Sequence, residues 1–119
     1  MSKQQTQLNN IAYSVILLTA VTAFIHLYLS FQFPEGPDPA FLLNGIGYLL
    51  LGATIYVPLP MLARYRSWLC WILIAYTALT ITLWIFFGAT TPIAYVDKAV
   101  EIVLIPLTWL EARRFSENQ

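Results

Sequence analysis

Residues 11–31 read IAYSVILLTAVTAFIHLYLSF and contain no Asp, Glu, Lys or Arg. A helix needs about 20 mostly apolar residues to cross a hydrocarbon core about 30 Å thick. This run therefore predicts a first transmembrane helix. Residues 33–39, FPEGPDP, follow it, and we expect them to form a connection because three prolines and a glycine cannot continue a helix.

Three further apolar runs lie downstream, at residues 40–57, 68–88 and 92–110. Prolines 58 and 60 end the second run, and Thr91-Pro92 starts the last one, with a hydroxyl N-cap before a proline at the first helical position. The sequence predicts an all-α protein, with residues 1–119 forming one four-helix transmembrane bundle in up-down-up-down order.

The composition supports a membrane location. Hydrophobic residues make up 59% of the chain and charged residues 10%, against about 45–50% and about 25% in soluble globular domains. This composition argues against a small soluble domain and against a disordered chain. Six basic residues balance six acidic ones, so we expect a lipid bilayer and no nucleic acid among the partners.

The basic residues predict the orientation. In a four-span topology five of them fall on one side, namely Lys3, Arg64, Arg66, Arg113 and Arg114. Lys98 lies toward the other side, with Glu35 and Asp38. Because cytoplasmic loops carry an excess of Lys and Arg, we expect a multi-pass protein of the cell membrane with both termini in the cytoplasm.

Polar residues of all four predicted helices fall in the outer half of the membrane, several of them about 7 Å below the outer surface at a rise of about 1.5 Å per residue. This predicted buried polar layer consists of His26, Asn44, Tyr48, Trp84, Asp97 and Glu101. Asp97 and Glu101 are four residues apart and therefore share one face of the last helix. Lys98 is expected at the membrane interface, with its side chain extended outward.

Three interpretations of the layer remain open at this point. Charged groups at this depth usually mark a function, and the layer could contact a small molecule, pigment or quinone, or move protons or ions. It could also be a packing layer that fixes the register of the helices. His26 could be a single axial ligand to a haem or chlorin, so the cofactor is unknown.

Neither a metal site nor an enzyme activity is predicted. His26, Asp97 and Glu101 could together face a metal ion, but three ligands on two helices are a weak signal. The chain has no HExxH, CxxC or glycine-rich phosphate loop. We therefore expect that the protein is not an enzyme.

Three stretches carry a resemblance to known proteins: His26-Leu27-Tyr28, residues 41–48 (FLLNGIGY) and residues 95–104 (YVDKAVEIVL). They resemble a group of small uncharacterised four-helix integral membrane proteins of haloarchaeal and bacterial type. The resemblance implies a four-helix membrane fold with these stretches as shared residues, and it implies no activity.

The leading functional hypothesis is an accessory or assembly subunit of a larger membrane complex, because the chain has little mass outside its apolar runs. The third apolar run is the expected docking or lipid-facing surface, through Trp71, Tyr76, Phe86 and Phe87. Partners would be other membrane subunits or further copies of the chain. The alternative hypothesis is a small transporter of protons, ions or small molecules that uses His26, Asp97 and Glu101.

Overall fold

A computed structural model describes residues 8–88 and 90–117, and within these ranges the regular structure is entirely helical. Five helices follow one another along the chain: α1 (Asn10–Ser30), α2 (Pro39–Tyr56), the short α3 (Pro60–Ala63), α4 (Arg66–Phe87) and α5 (Pro92–Glu117). Three of them, α1, α2 and α4, are long and apolar enough to cross a membrane.

Polar side chains fix the start of the first two helices. Asn9 Oδ1 accepts a hydrogen bond from Ala12 N at 2.8 Å, and Asp38 Oδ2 accepts one from Phe41 N at 3.1 Å. These bonds satisfy backbone donors that have no partner within a first helical turn. The connection between α1 and α2 closes through Asp38 N, which donates to the Ser30 carbonyl at 2.8 Å. Both helix starts are therefore fixed locally.

The four long helices pack on one another through their small and polar faces. Helix α1 contacts α2 and α5, and α4 contacts α5 and α2. The buried face of α1 includes Thr19, Thr22, Ala23, His26 and Ser30. Gly45 allows α1 and α2 to approach closely, because a Cβ at this position would lie 2.9 Å from the Ala23 carbonyl oxygen.

Helix α5 is longer than the sequence predicts. The last apolar run ends at residue 110, but the helix continues through the polar tail that follows, to Glu117. The reason is that this tail is partly buried: Ala112 and Phe115 belong to the core, and Glu111 is fully buried. Pro106 lies inside this helix. The connection between the second and third apolar runs is also partly helical, because residues 60–63 form one helical turn and α4 already begins at Arg66.

Candidate functional site

Six side chains from α1, α2 and α5 meet in one group, which we call the charged cluster. Its members are Thr22, His26, Tyr48, Asp97, Lys98 and Glu101. Each of them is at most 7% exposed. Helix α5 supplies three members because positions 97, 98 and 101 lie on one face, at spacings of three and four residues.

Glu101 accepts hydrogen bonds on both carboxylate oxygens. Tyr48 Oη donates to Oε2 at 2.6 Å, and Lys98 Nζ donates to Oε1 at the same distance. The first bond joins α2 to α5, and the second lies within α5. Glu101 is 0% exposed, so these two bonds replace the water that its carboxylate would otherwise bind.

Asp97 has a similar environment. Thr22 Oγ1 donates to Oδ1 at 2.5 Å, and Lys98 Nζ lies 3.2 Å from Oδ2. Lys98 therefore forms ion pairs with both carboxylates. The cluster thus holds two acidic side chains for one lysine, beside the imidazole of His26.

The ring nitrogen of His26 that faces the carboxylates is Nε2, which has no hydrogen-bond partner within the described residues. Nδ1 donates to the Thr22 carbonyl at 2.8 Å. Nε2 lies 3.6 Å from Asp97 Oδ2 and 3.9 Å from Glu101 Oε2. Both distances exceed those of a hydrogen bond. The ring is oriented by the backbone, and Nε2 points into the space between the two carboxylates.

A cavity of about 860 Å³ adjoins the charged cluster, and α1, α2, α4 and α5 all contribute to it. His26, Asp97 and Lys98 lie in its wall. Apolar and aromatic side chains line much of the rest, including Leu29, Phe33, Phe41, Leu79, Leu83 and Phe87. Concave, mostly apolar cavities with a few convergent polar groups are typical of small-molecule sites.

Two hydrogen-bond donors in the cavity wall have capacity left. Lys98 Nζ has three N–H groups, and Asp97 and Glu101 are its ion-pair partners. The side-chain oxygen of Asn44 accepts from Thr80 Oγ1 at 3.4 Å, whereas its amide nitrogen bonds to nothing in the described part of the chain. The polar end of the cavity can therefore donate to a ligand.

The predicted polar layer divides into two groups in the structure. His26, Tyr48, Asp97 and Glu101 are in direct contact within the charged cluster. Asn44 and Trp84 lie in the cavity wall instead. The Trp84 ring is 5.9 Å from Lys98 Nζ and packs edge-on against another aromatic ring, that of Tyr95.

Two residues lie elsewhere than the sequence predicts, and a third residue of the site was missed. Lys98 does not extend outward but is buried between two carboxylates, and its spacing of three residues from Glu101 could have indicated this. Thr22 bonds to Asp97 and was absent from the predicted layer. Tyr76 does not belong to an exposed docking face, because its hydroxyl donates to the Asn44 carbonyl at 2.8 Å and its ring packs on Tyr48.

A second buried carboxylate lies further along α5, in what we call the Glu111 cluster: Tyr56, Glu111 and Arg114. Tyr56 Oη donates to Glu111 Oε1 at 2.6 Å. Arg114 donates to both oxygens, from Nε at 2.7 Å and from Nη2 at 2.9 Å. These bonds join α2 to the end of α5 and satisfy the buried carboxylate.

The chain was also compared with known proteins. No curated protein and no solved structure matches it. Residues 1–110 match a protein family described as a family of unknown function, DUF7475. This match covers nearly the whole chain, and the chain therefore belongs to the DUF7475 family.

Proposed function

We propose that this chain is an integral membrane protein that binds a small amphiphilic molecule in the cavity beside the charged cluster, as the binding step of a carrier or transporter and not as an enzyme. The observation that carries the proposal is that a cavity of about 860 Å³ is lined at one end by the buried polar side chains of His26, Asp97 and Lys98.

Helix α5 would be the fourth membrane span. It carries too many charged residues to be counted with α1, α2 and α4 on composition alone. Its charged residues at positions 97, 98, 101 and 111 are buried. Up to residue 110 its exposed large side chains are apolar or aromatic, namely Tyr95, Val96, Ile102, Val103, Trp109 and Leu110. The exposed charged side chains of Arg113 and Glu117 lie beyond this stretch, in the last turns of the helix. A face of this kind suits lipid, and polar groups within membranes usually face the bundle interior.

The proposed topology is therefore an up-down-up-down bundle of α1, α2, α4 and α5, with α3 in a connection. Lys and Arg residues fall mostly on the side of the termini and of the connection between α2 and α4. Under the positive-inside rule this side is the cytoplasm. The cavity and the charged cluster would then lie in the outer half of the cell membrane.

The wall chemistry indicates what the ligand looks like. Its apolar body would pack against aromatic and aliphatic side chains such as Phe41 and Leu83. Its polar end would carry a hydrogen-bond acceptor, a carbonyl or carboxylate oxygen, since Lys98 and Asn44 offer donors there. Burying a donor without an acceptor costs about 1–3 kcal/mol, so such an oxygen would add affinity and fix the ligand's orientation.

A brominated fatty acid is a suitable probe, because bromine quenches tryptophan fluorescence and Trp84 lies in the cavity wall. The parent protein for this test carries phenylalanine at positions 68, 71 and 109, so that Trp84 is its only tryptophan. In nanodiscs of unbrominated lipid we expect saturable quenching. The substitution Ala40→Phe fills part of the cavity and should weaken binding about tenfold or more.

The matched control is Ala78→Phe, which adds the same side chain to an exposed position of α4 outside the cavity wall. It should bind the probe like the parent protein. Quenching that does not saturate, or that is equal in the two phenylalanine variants, would contradict the proposal.

The accessory-subunit role remains a second candidate, and the exposed aromatic residues of α4 favour it. Trp68, Phe86 and Phe87 are 71%, 73% and 84% exposed, a surface that could face a helix of a larger complex or lipid. The native mass of the protein, gently solubilised from its own membrane, tests this role. A stable assembly with other subunits supports it, whereas a free monomer argues against it.

A further inference from the structure

Three side-chain atoms of the kind that bind metal ions lie close together inside the charged cluster. His26 Nε2 and one oxygen each of Asp97 and Glu101 lie within 4.8 Å of one another, and all three residues are buried. The two distances from Nε2, 3.6 Å and 3.9 Å, are close to the separation of about 3.4 Å between ligand atoms in a tetrahedral site with bonds of about 2.1 Å.

The imidazole is held in the orientation of a metal ligand. Its Nδ1–H donates to the Thr22 carbonyl, which leaves the lone pair of the neutral ring on Nε2. Histidines that bind metals almost always donate the other ring N–H to a carbonyl, a carboxylate or water. Nε2, in a side chain that is 98% buried, points toward two carboxylates and makes no hydrogen bond within the described residues.

Each carboxylate is likewise held by a neighbour through the oxygen that faces away from His26. Thr22 Oγ1 bonds to Oδ1 of Asp97, and Lys98 Nζ bonds to Oε1 of Glu101. The remaining oxygens, Oδ2 and Oε2, are the ones nearest Nε2. Oε2 also accepts the hydrogen bond from Tyr48 Oη at 2.6 Å, and Lys98 Nζ lies 3.2 Å from Oδ2. An ionised carboxylate has about four acceptor positions, so a metal ion would share these oxygens with Tyr48 and Lys98.

We propose that His26, Asp97 and Glu101 form a binding site for a divalent transition-metal ion of the Zn²⁺ or Mn²⁺ type. One imidazole nitrogen with two carboxylate oxygens suits these ions, whereas Mg²⁺ and Ca²⁺ prefer oxygen ligands alone. His26 and Asp97 lie in the cavity wall, so the ion would keep an open coordination position on the cavity side.

The charges agree with this assignment. Two carboxylates and a divalent ion sum to zero, and Lys98 then leaves one positive charge beside the cavity. An anionic ligand or hydroxide in the open position would neutralise it. The metal site does not depend on the proposed amphiphile, because its three protein ligands are complete without it.

The experiment uses the full chain in detergent, after treatment with a chelator, with ZnCl₂ and MnCl₂ as separate probes. Calorimetry should show one ion per chain. Asp97→Asn should weaken binding about a hundredfold, and the matched control Asp38→Asn should not, because Asp38 caps α2 outside the cluster and asparagine is an equally good cap. Equal affinity in the two variants would overturn the proposal.

Nuclear magnetic resonance of the unmutated protein gives a second test that does not require a variant to fold. The chain has a single histidine, so its two imidazole nitrogen signals belong to His26. Zn²⁺ should shift the Nε2 signal and leave Nδ1 protonated, and the same concentration of Mg²⁺ should shift neither. An unchanged Nε2 signal at millimolar Zn²⁺ would overturn the site.

Discussion

Glu101 and Glu111 are both fully buried on α5, ten residues and about 15 Å apart, yet their surroundings differ. Glu111 has one positive partner, Arg114, and with Tyr56 it forms three hydrogen bonds. The charged cluster around Glu101 has two carboxylates for one lysine. Within the described residues His26 Nε2 points between these carboxylates and makes no hydrogen bond.

This difference in surroundings identifies the Glu111 cluster as a structural polar contact and the charged cluster as a candidate binding site. The Glu111 cluster is neutral, and its groups satisfy one another. The charged cluster has two carboxyl groups for one lysine, a ring nitrogen with no hydrogen bond within the described residues, and an adjoining cavity, so it can bind something further. Burial and polarity do not distinguish the two clusters, because both are buried and polar. The ratio of acidic to basic groups and the unused hydrogen-bonding capacity do distinguish them.

The largest expected effect comes from breaking the Glu111 cluster. Arg114→Ala removes the positive partner of Glu111. The Glu111 carboxylate stays buried, and within this cluster Tyr56 is its remaining hydrogen-bond partner. Removing one member of a buried ion pair costs about 3–5 kcal/mol, so we expect the free energy of unfolding in detergent to fall by about that amount. Probe binding by the folded fraction should be retained.

Arg113→Ala is the control for this variant, since Arg113 is the preceding residue and its ion pair with Glu117 is exposed. Exposed pairs contribute about 0–1 kcal/mol. If the two arginine variants unfold alike, the Glu111 cluster does not stabilise the fold as described.

An intermediate effect is expected from removing one hydroxyl in either cluster. Tyr48→Phe and Tyr56→Phe each delete one hydrogen bond to a buried carboxylate, so each should lower the free energy of unfolding by about 1.5–3 kcal/mol. Zn²⁺ affinity should change in Tyr48→Phe and remain unchanged in Tyr56→Phe. Equal metal affinity in both variants would remove the distinction between the clusters.

The smallest effect on the free energy of unfolding is expected from a substitution at Thr108, which lies on α5 between the two clusters. The hydroxyl of Thr108 is buried and has no hydrogen-bond partner among the described residues. Thr108→Val keeps the shape of the side chain and removes an unsatisfied polar group. We expect an unchanged or higher free energy of unfolding, by about 0–1 kcal/mol. A clear loss of stability would mean that this hydroxyl has a partner.

Apolar runs and helical spacing predicted much of the architecture, because both act locally. The runs near residues 11–31 and 40–57 form helices within two residues of the expected ends. His26, which the sequence places in the predicted polar layer, lies on the buried face of α1. The grouping of Asp97 with Glu101 likewise follows from their separation of four residues.

The rest depends on contacts between residues far apart in sequence. The burial of Glu111 requires Tyr56, 55 positions earlier, and no local pattern distinguishes this carboxylate from those of a solvated tail. The cavity depends on the spacing of α2 and α4, which contact each other less than the other adjacent pairs of long helices do. Lys98 was misplaced because lysine near a helix end usually extends toward water, whereas here two carboxylates hold it inside.

Pro106 lies in α5 between the two clusters and creates a point at which the helix can bend. Proline has no N–H, so the carbonyl of Ile102, four residues earlier, lacks its usual helical donor, and the proline ring crowds that carbonyl. The ladder of backbone hydrogen bonds is therefore weakest just beyond Glu101. A tilt of the segment that carries Asp97 and Glu101 would bend the helix at this joint, while the segment beyond it stays anchored by Glu111 and Arg114.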